Sequence, residues 1–351
     1  MRRFSLALLA LIAVVVSPAG PRGVSAQPND DLYTKAKTEG RLTIYAGGPT
    51  APWEAAAARF KARYPGIEVA VTGGFSNVLD TSINQQLHDG KMDVDVAFLQ
   101  TIADFVDWKR AGVLLPFRPE AFALIDNGFK DTDGAYVGVE VNVMPYAYNS
   151  TLVKPADVPR SALDFLKPEW RGKLVAAYPA DDDATLYVFD SIVKKYGWSY
   201  MDRYMANQPK FIQGHLPEQR SVSSGATPVT LDSIVSITLG EQAAGKPIRS
   251  AFSAIDPIPI WALTGAIFQG SPHPNAAKLF LNFFLSPDEQ SRLGTWSVRS
   301  DVPPPAGLQP LSAYHVVNSY RDFLSDRAAI AALRKRYEQY TGPVVNTGGV
   351  R

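Results

Sequence analysis

The chain has 351 residues, 46% of them apolar and 20% charged, with no cysteine and a formal net charge of +1. Two domains with sizeable cores fit that length. Disulfides and thiolate metal sites are excluded, and a near-neutral chain has no single-sign field with which to hold nucleic acid or an anionic membrane.

The first residues read as an export signal. MRR is a basic start, FSLALLALIAVVV is an apolar run too short to span a bilayer, and Val24-Ser25-Ala26 supplies the small residues before a cleavage site. Cleavage is expected after Ala26. It removes three Arg and no acid, leaving 32 basic and 34 acidic residues and a charge of −2. No cysteine stands at that site to carry a lipid, so the processed chain is expected to be free in the periplasm.

After the signal the chain alternates strand and helix. Asn29-Asp30-Asp31 can cap a first helix that Gly40 ends. Leu42–Ala46 reads as a buried strand. A helix opens at Thr50 and Pro52 with the apolar stripe Trp53, Ala57, Phe60 and Tyr64. Strand 67–72, a helix over 77–89, strand 94–99 and a helix over 101–112 complete a pattern that predicts a parallel sheet covered on both faces. Ligands of such sheets sit beyond the carboxyl ends of the strands. Those ends carry Gly47-Gly48-Pro49-Thr50, Gly73-Gly74-Phe75-Ser76-Asn77 and Gln100-Thr101. The glycines serve either to bring backbone close to a ligand or to make tight turns. No nucleotide-binding glycine motif is present.

A second, β-rich unit starts near Val139 and crosses between domains. Strand 173–178 leads to Asp181-Asp182-Asp183 and a helix ending at Tyr196-Gly197. A short helix over 198–205 and a strand at 229–231 follow. Pro274-Asn275 opens a strongly apolar helix to Leu285, and Ser286-Pro287-Asp288-Glu289 starts another. Val302-Pro-Pro-Pro305 reads as a stiff connector. The three Asp have two readings: they cap and stabilise the helix start, or they face a cleft and meet an ammonium, hydroxyls or a divalent cation. Trp53, Phe75, Tyr148, Tyr187 and Trp261 fall near the expected cleft loops; aromatic faces beside carboxylates suit an organic cation or a sugar-like ligand, and core packing is the other reading for Trp53 and Phe75. The histidines at 88, 215, 273 and 315 show no metal spacing.

Eight strings occur in the order found in the extracellular solute-binding proteins of bacterial ABC importers, and the chain resembles their iron(III)/thiamine/phosphonate/polyamine-type group. They are GRLTIYAG (40–47), FKARYPGIEV (60–69), DVDVAFLQ (93–100), AGVLLPF (111–117), AYNSTLV (147–153), KPEWRGKL (167–174), GSPHPNAAKLFLNFFLSPDEQ (270–290) and SVRSDVP (297–303). The resemblance implies the α/β periplasmic-binding-protein fold: two lobes, a hinge and an interlobe ligand cleft. It places the N-terminal lobe at 27–143 plus 252–320 and the C-terminal lobe at 144–251 plus 321–351. It also implies capture of one small solute by hinge closure and delivery to ABC permease transmembrane subunits by a monomer, with neither catalysis nor cofactor.

Ferric-binding members hold iron through a His, a Glu and two adjacent Tyr. Here Pro49 and Gln100 stand at the first two places, and no Tyr follows Gly225 in ATPVTLDSIVSI. Carboxylates at 181–183 would repel an oxyanion. The expected solute is therefore an organic cation such as thiamine or a polyamine, or a polyol. Ferric iron or an oxyanion, a sensor as docking partner, and an exported carboxylate-dependent hydrolase are the alternatives. The ligand-binding candidates are Thr50, Ser76, Asn77, Gln100 and Thr101 from one lobe. From the other they are Tyr148, Asp181, Asp182, Asp183 and Thr227, with Asp256 near the crossing. No residue is a metal or catalytic candidate.

Overall fold

A computed structural model describes residues 30–345. The expected signal segment and its cleavage after Ala26 lie outside the described residues. Twelve strands are described: β1 (Arg41–Gly47), β2 (Glu68–Gly74), β3 (Val96–Leu99), β4 (Leu114–Leu115), β5 (Val137–Val143), β6 (Tyr146–Asn149), β7 (Leu174–Ala177), β8 (Lys210–Ile212), β9 (Val229–Thr230), β10 (Ile248–Ala251), β11 (Ile258–Phe268) and β12 (Val316–Val317). They form two sheets. The first runs β12-β11-β3-β1-β2, with β4 and β5 also pairing β11; the second runs β10-β6-β9-β7-β8.

The parallel pattern read from the first hundred residues is present, since β1 lies parallel to both β2 and β3. The helices between them, Thr50–Arg63 and Ser76–His88, bury the stripes that their spacing dictates. Trp53 stacks on both Phe98 and Phe284, at 4.7 and 4.9 Å between ring centroids, and those two rings also touch each other at 5.8 Å. Beside this parallel set stands β11, an antiparallel strand of eleven residues, which pairs with β3, β4 and β5. It is buried along almost its whole length, as a strand covered on both faces must be.

A buried carboxylate knits the first sheet to the apolar helix Pro274–Phe284. Asp95 accepts hydrogen bonds from the Thr43 N–H at 2.7 Å, the Ser271 hydroxyl at 2.7 Å and the His273 N–H at 2.8 Å. It also lies 3.0 Å from His273 Nδ1. This is the role of His273: it anchors the start of that helix.

The chain passes from the first sheet to the second between β5 and β6 and returns between β10 and β11. Asp256 sits on the return passage, 3% exposed. Its carboxylate accepts from the Tyr146 hydroxyl at 2.9 Å, the Ala162 N–H at 2.6 Å, Lys195 Nζ at 2.7 Å and the Tyr196 hydroxyl. Burial alone would raise its pKa, but Lys195 and the other donors hold it below the usual carboxylate range.

Replacing Asp256 by Ala strands these donors and is expected to cost about 3 kcal/mol of stability. Because its folded pKa is depressed, the part of that contribution that depends on ionisation is present above the ordinary carboxylate range and is lost as the pH falls below about 4 and through the folded pKa. Urea unfolding of Asp256→Ala beside the parent at pH 7 and pH 3 measures both the gap and its closing.

Candidate functional site

The strand ends of the two sheets face each other across one large cavity of roughly 960 Å³. That is the upper part of the range for pockets that enclose a small organic molecule. The first sheet brings the loops after β1, β2 and β3. The second brings residues 181–183 after β7 and Gly214-His215 after β8, and the helix Val235–Ala243 closes one side. The helix Arg327–Thr341 lies along another side with Ile330, Ala331 and Arg334.

The floor is set by strand geometry. Residues of β5 alternate, so Val139, Val141 and Val143 go into the core while Glu140 and Asn142 share the opposite face. Across the ladder, Glu140 pairs with Leu263 and Asn142 with Trp261, and all four side chains line the cavity. Trp261 is buried, and its indole N–H has no hydrogen-bond partner among the described residues. The same holds for the Thr101 hydroxyl in the loop after β3.

The strand-end glycines are packing devices. A Cβ on Gly47 would meet Ser76 Oγ at 2.3 Å, and one on Gly73 would meet Thr50 Oγ1 at 2.1 Å. Each glycine lets a strand end lie against the start of a helix. Ser76 lines the cavity, but its hydroxyl accepts the Gln100 N–H at 3.1 Å and so fixes the neighbouring loop. Asn77, Gln100 and Thr101 also line the cavity.

Asp181, Asp182 and Asp183 all line it as well, with three different partners. Asp181 accepts from Gln213 Nε2 at 3.0 Å. Asp182 caps the helix Asp183–Tyr196, with Oδ1 accepting the N–H groups of Ala184 and Thr185 at 2.8 and 3.0 Å. Its Oδ2 lies 3.4 Å from His215 Nδ1 and accepts from Gln100 Nε2 across the cavity at 3.4 Å. Burial opposes its ionisation, yet His215 and these donors outweigh burial and hold it at about 2. Asp183 is pushed up by burial against the pull of Arg334, whose Nη2 is 2.5 Å from its Oδ1.

Four residues expected in the cleft lie elsewhere. Thr50 packs against Gly73 behind the helix start. Tyr148 is on β6, inside the second sheet and paired to β9 and β10. Thr227 is buried, with its hydroxyl 2.9 Å from that of Ser221. Asp256 is the crossing anchor described above. Of the aromatics, Trp53, Phe75 and Trp261 line the cavity, whereas Tyr187 is buried and hydrogen-bonded to Ser319.

Sequence reasoning passes over several groups that the fold brings here, among them Glu140, Asp80, Asp104, His215 and the arginines 59, 327 and 334. Glu140 is pushed up to about 7 by burial, with only Asn142 beside it to oppose the rise. Asp80 is also raised to about 7, first by burial and then by its hydrogen bond and repulsion with Asp104. Arg327 Nη2 reaches Asp104 and Asp107, each at 2.8 Å. Arg59 pairs with Glu289 through two nitrogens. His215 lies between Asp182 and Thr185, whose hydroxyl is 3.1 Å from Nε2. Burial lowers its pKa, but Asp182 and then Asp232 raise it further, to about 9.

His215 is thus a buried cation with a raised pKa. Its contribution to stability is full below the unfolded value near 6.5 and is lost as the pH rises through about 9. His215→Gln is expected to be less stable than the parent at pH 6, with the gap narrowing by up to about 3 kcal/mol at pH 10. Thermal unfolding across that pH range reads the closing gap.

Residues 46–291 match the family described as bacterial extracellular solute-binding protein, well over half of the chain. An Fe(3+)-binding periplasmic protein of Serratia marcescens is 26% identical over 113 residues, 32% of each chain. A probable ABC transporter periplasmic-binding protein of Sinorhizobium fredii is 26% identical over 176 residues, 47% of this chain and 48% of that one. These matches span less than half the length of either curated relative. Iron-bound HitA from Pseudomonas aeruginosa superposes with a TM-score of 0.70 at 19% identity, over 85% of this chain and 99% of the other. AfuA from Actinobacillus pleuropneumoniae, a periplasmic binding protein with fructose-6-phosphate bound, gives a TM-score of 0.72 at 17% identity, over 86% and 98%. The fold is that of the periplasmic binding proteins, and the chain belongs to the bacterial extracellular solute-binding protein family.

Proposed function

We propose that this protein is the periplasmic solute-binding component of an ABC importer. It captures an organic cation such as a polyamine or thiamine, or a polyol, by closure of two lobes and hands it as a monomer to the permease transmembrane subunits. The observation that carries the choice of solute is the acid left over once the cavity's ion pairs are drawn: Asp181 has only the neutral Gln213, Asp80 only Thr81 and the acid Asp104, and Glu140 only Asn142. Asp182, Asp183, Asp104 and Glu289 each have a cationic partner, and Glu140 has none among the described residues. Trp53, Phe75 and Trp261 add apolar and π surface in the same space. No catalytic step is part of this reading.

The lobes are 27–143 plus 252–320 and 144–251 plus 321–351. Supporting this, the segments on either side of each crossing belong to different sheets. Tyr337 of the last described helix also packs on Phe189 and Trp198, within the second lobe. Among the contacts that join the lobes, Gln100 with Asp182 and Arg327 with Asp104 and Asp107 lie at the cavity. Hinge opening parts them, and closure around a solute re-forms them.

The relatives named for iron and for a sugar phosphate define the rival readings. Against iron, Pro49 and Gln100 occupy the His and Glu positions of ferric binders. Among the described residues, no three His, Asp or Glu side chains gather as a metal ion would need. Against an oxyanion at the helix after β7, that helix start is already filled by Asp182.

A thermal-shift panel on the chain from residue 27 tests the reading. Spermidine, putrescine, thiamine, glucose, ferric citrate, fructose 6-phosphate and a phosphonate are compared. The expected result is a rise in melting temperature with an amine or a polyol, because a ligand at 100 times its Kd stabilises by about 2.7 kcal/mol. A rise with ferric citrate, the sugar phosphate or the phosphonate alone overturns it.

A further inference from the structure

We propose that Glu140 is the charge-reading residue of this cavity: it receives a protonated amine of the solute on its carboxylate and releases its own proton to water as it does so. This rests on the organic-cation reading above and names the residue and the linkage that carry it.

Two observations support the assignment. First, β5 places Glu140 on the cavity floor beside Asn142, opposite Leu263 and Trp261, in a register fixed by the ladder to β11. Second, the other carboxylates at the cavity have partners. Asp182 meets His215, Asp183 meets Arg334, Asp104 meets Arg327 and Glu289 meets Arg59. Asp181 has a neutral partner in Gln213, and Asp80 shares its place with Asp104, which Arg327 holds. Glu140 has only the neutral amide of Asn142.

The groups that share the cavity with Glu140 explain why it holds a proton when no solute is bound. From β11 come Leu263 and Trp261, which do not titrate in the relevant range. From the helix Val235–Ala243 comes Glu241, engaged by Ser223 at 2.6 Å and Arg220 at 3.5 Å. From residues 289–296, which bridge to β5, come Glu289 and Arg292, and Arg292 lies 3.7 Å from Glu289. None of these gives Glu140 a cation of its own. Burial therefore leaves it titrating at about 7, and it is close to half protonated at neutral pH. An ammonium beside it restores ionisation, so binding and proton release are one event.

The experiment is calorimetric binding of spermidine, putrescine and thiamine at pH 6 and pH 8, in buffers of differing ionisation heat. Affinity is expected to be about tenfold higher at pH 8 than at pH 6. About 0.9 of a proton is released at pH 6 and about 0.1 at pH 8. Glu140→Gln binds at both pH values no more tightly than the parent does at pH 6, and it releases no proton. If an amine binds Glu140→Gln as it binds the parent, with the same pH slope, the assignment of Glu140 is overturned and the organic-cation reading stands. A slope that survives in Glu140→Gln but vanishes in Asp80→Asn also overturns it, in favour of the Asp80–Asp104 pair. Binding of ferric citrate or fructose 6-phosphate alone overturns both. A measurement without solute tests Glu140 independently. A raised carboxyl pKa costs stability as the pH climbs from about 4.5 through 7, so Glu140→Gln is expected to melt above the parent at pH 8 and level with it at pH 4. No difference at pH 8 means that Glu140 ionises freely, and the proposal fails.

Discussion

The molecule depends on the chain crossing twice between its sheets at nearly one place, and on a buried carboxylate that makes the second crossing possible. Only two residues separate β5 from β6, so the first crossing is short. The return from β10 to β11 is longer; Ala254 and Ile255 are exposed on it, but Ser253 and Asp256 are buried, where unpaired polar groups are costly. Asp256 gathers four donors there, from residues 146, 162, 195 and 196. Because β5 and β11 pair directly, the two crossings stay side by side, and the face they present between the sheets becomes the cavity floor. The position of the cavity follows from the crossing.

Charge inside the cavity is arranged by the same economy. Buried ions need partners, and most find them among residues far apart in sequence: Arg59 with Glu289, Arg327 with Asp104, His215 with Asp182. Two of the contacts that join the sheets, Gln100–Asp182 and Arg327–Asp104, lie along the cavity wall. Loss of interlobe contact and access to the site are therefore coupled by geometry. What remains on the cavity floor after this pairing is the carboxyl of Glu140, with only the amide of Asn142 beside it.

Much of this is legible in the sequence where structure is local. The βα alternation from Arg41 to Arg110, the helix after Pro274 and the cap before Ala184 all follow from periodicity and capping residues. The strand β11 is not legible: Ile258-Pro-Ile-Trp-Ala-Leu-Thr-Gly carries a proline and a glycine and has no clear period. It is a strand because four distant partners pair with it. The cleft residues divide in the same way. Positions just after strands of the first sheet, such as Asn77, Gln100 and Thr101, reach the cavity because chain direction alone places them there. Tyr148 and Thr227 require knowing which side of the second sheet faces the gap, and sequence order does not state that. Glu140 carries a usable signal, an acid at an alternating position in the apolar strand VGVEVNV. His215 carries none, since a lone histidine acquires its meaning only from Asp182 and Asp232, 33 and 17 residues away.

The three consecutive Asp show how one scaffold position can be turned against a class of ligand. A helix start facing a cleft offers free N–H groups and a positive dipole end, a ready site for an anion. Here the protein supplies the anion itself. Asp182 takes the N–H groups of Ala184 and Thr185, and His215 behind it keeps the carboxylate charged down to about pH 2. Asp183 is held by Arg334 from the C-terminal helix, and Asp181 by Gln213. An incoming phosphate or carbonate would have to displace a carboxylate already desolvated and paired. It would also meet two further acids with no spare cation between them. On the proposed reading the triplet is both cap and filter: it stabilises the helix beneath it and would bias the cavity toward solutes that bring positive charge or hydroxyls of their own.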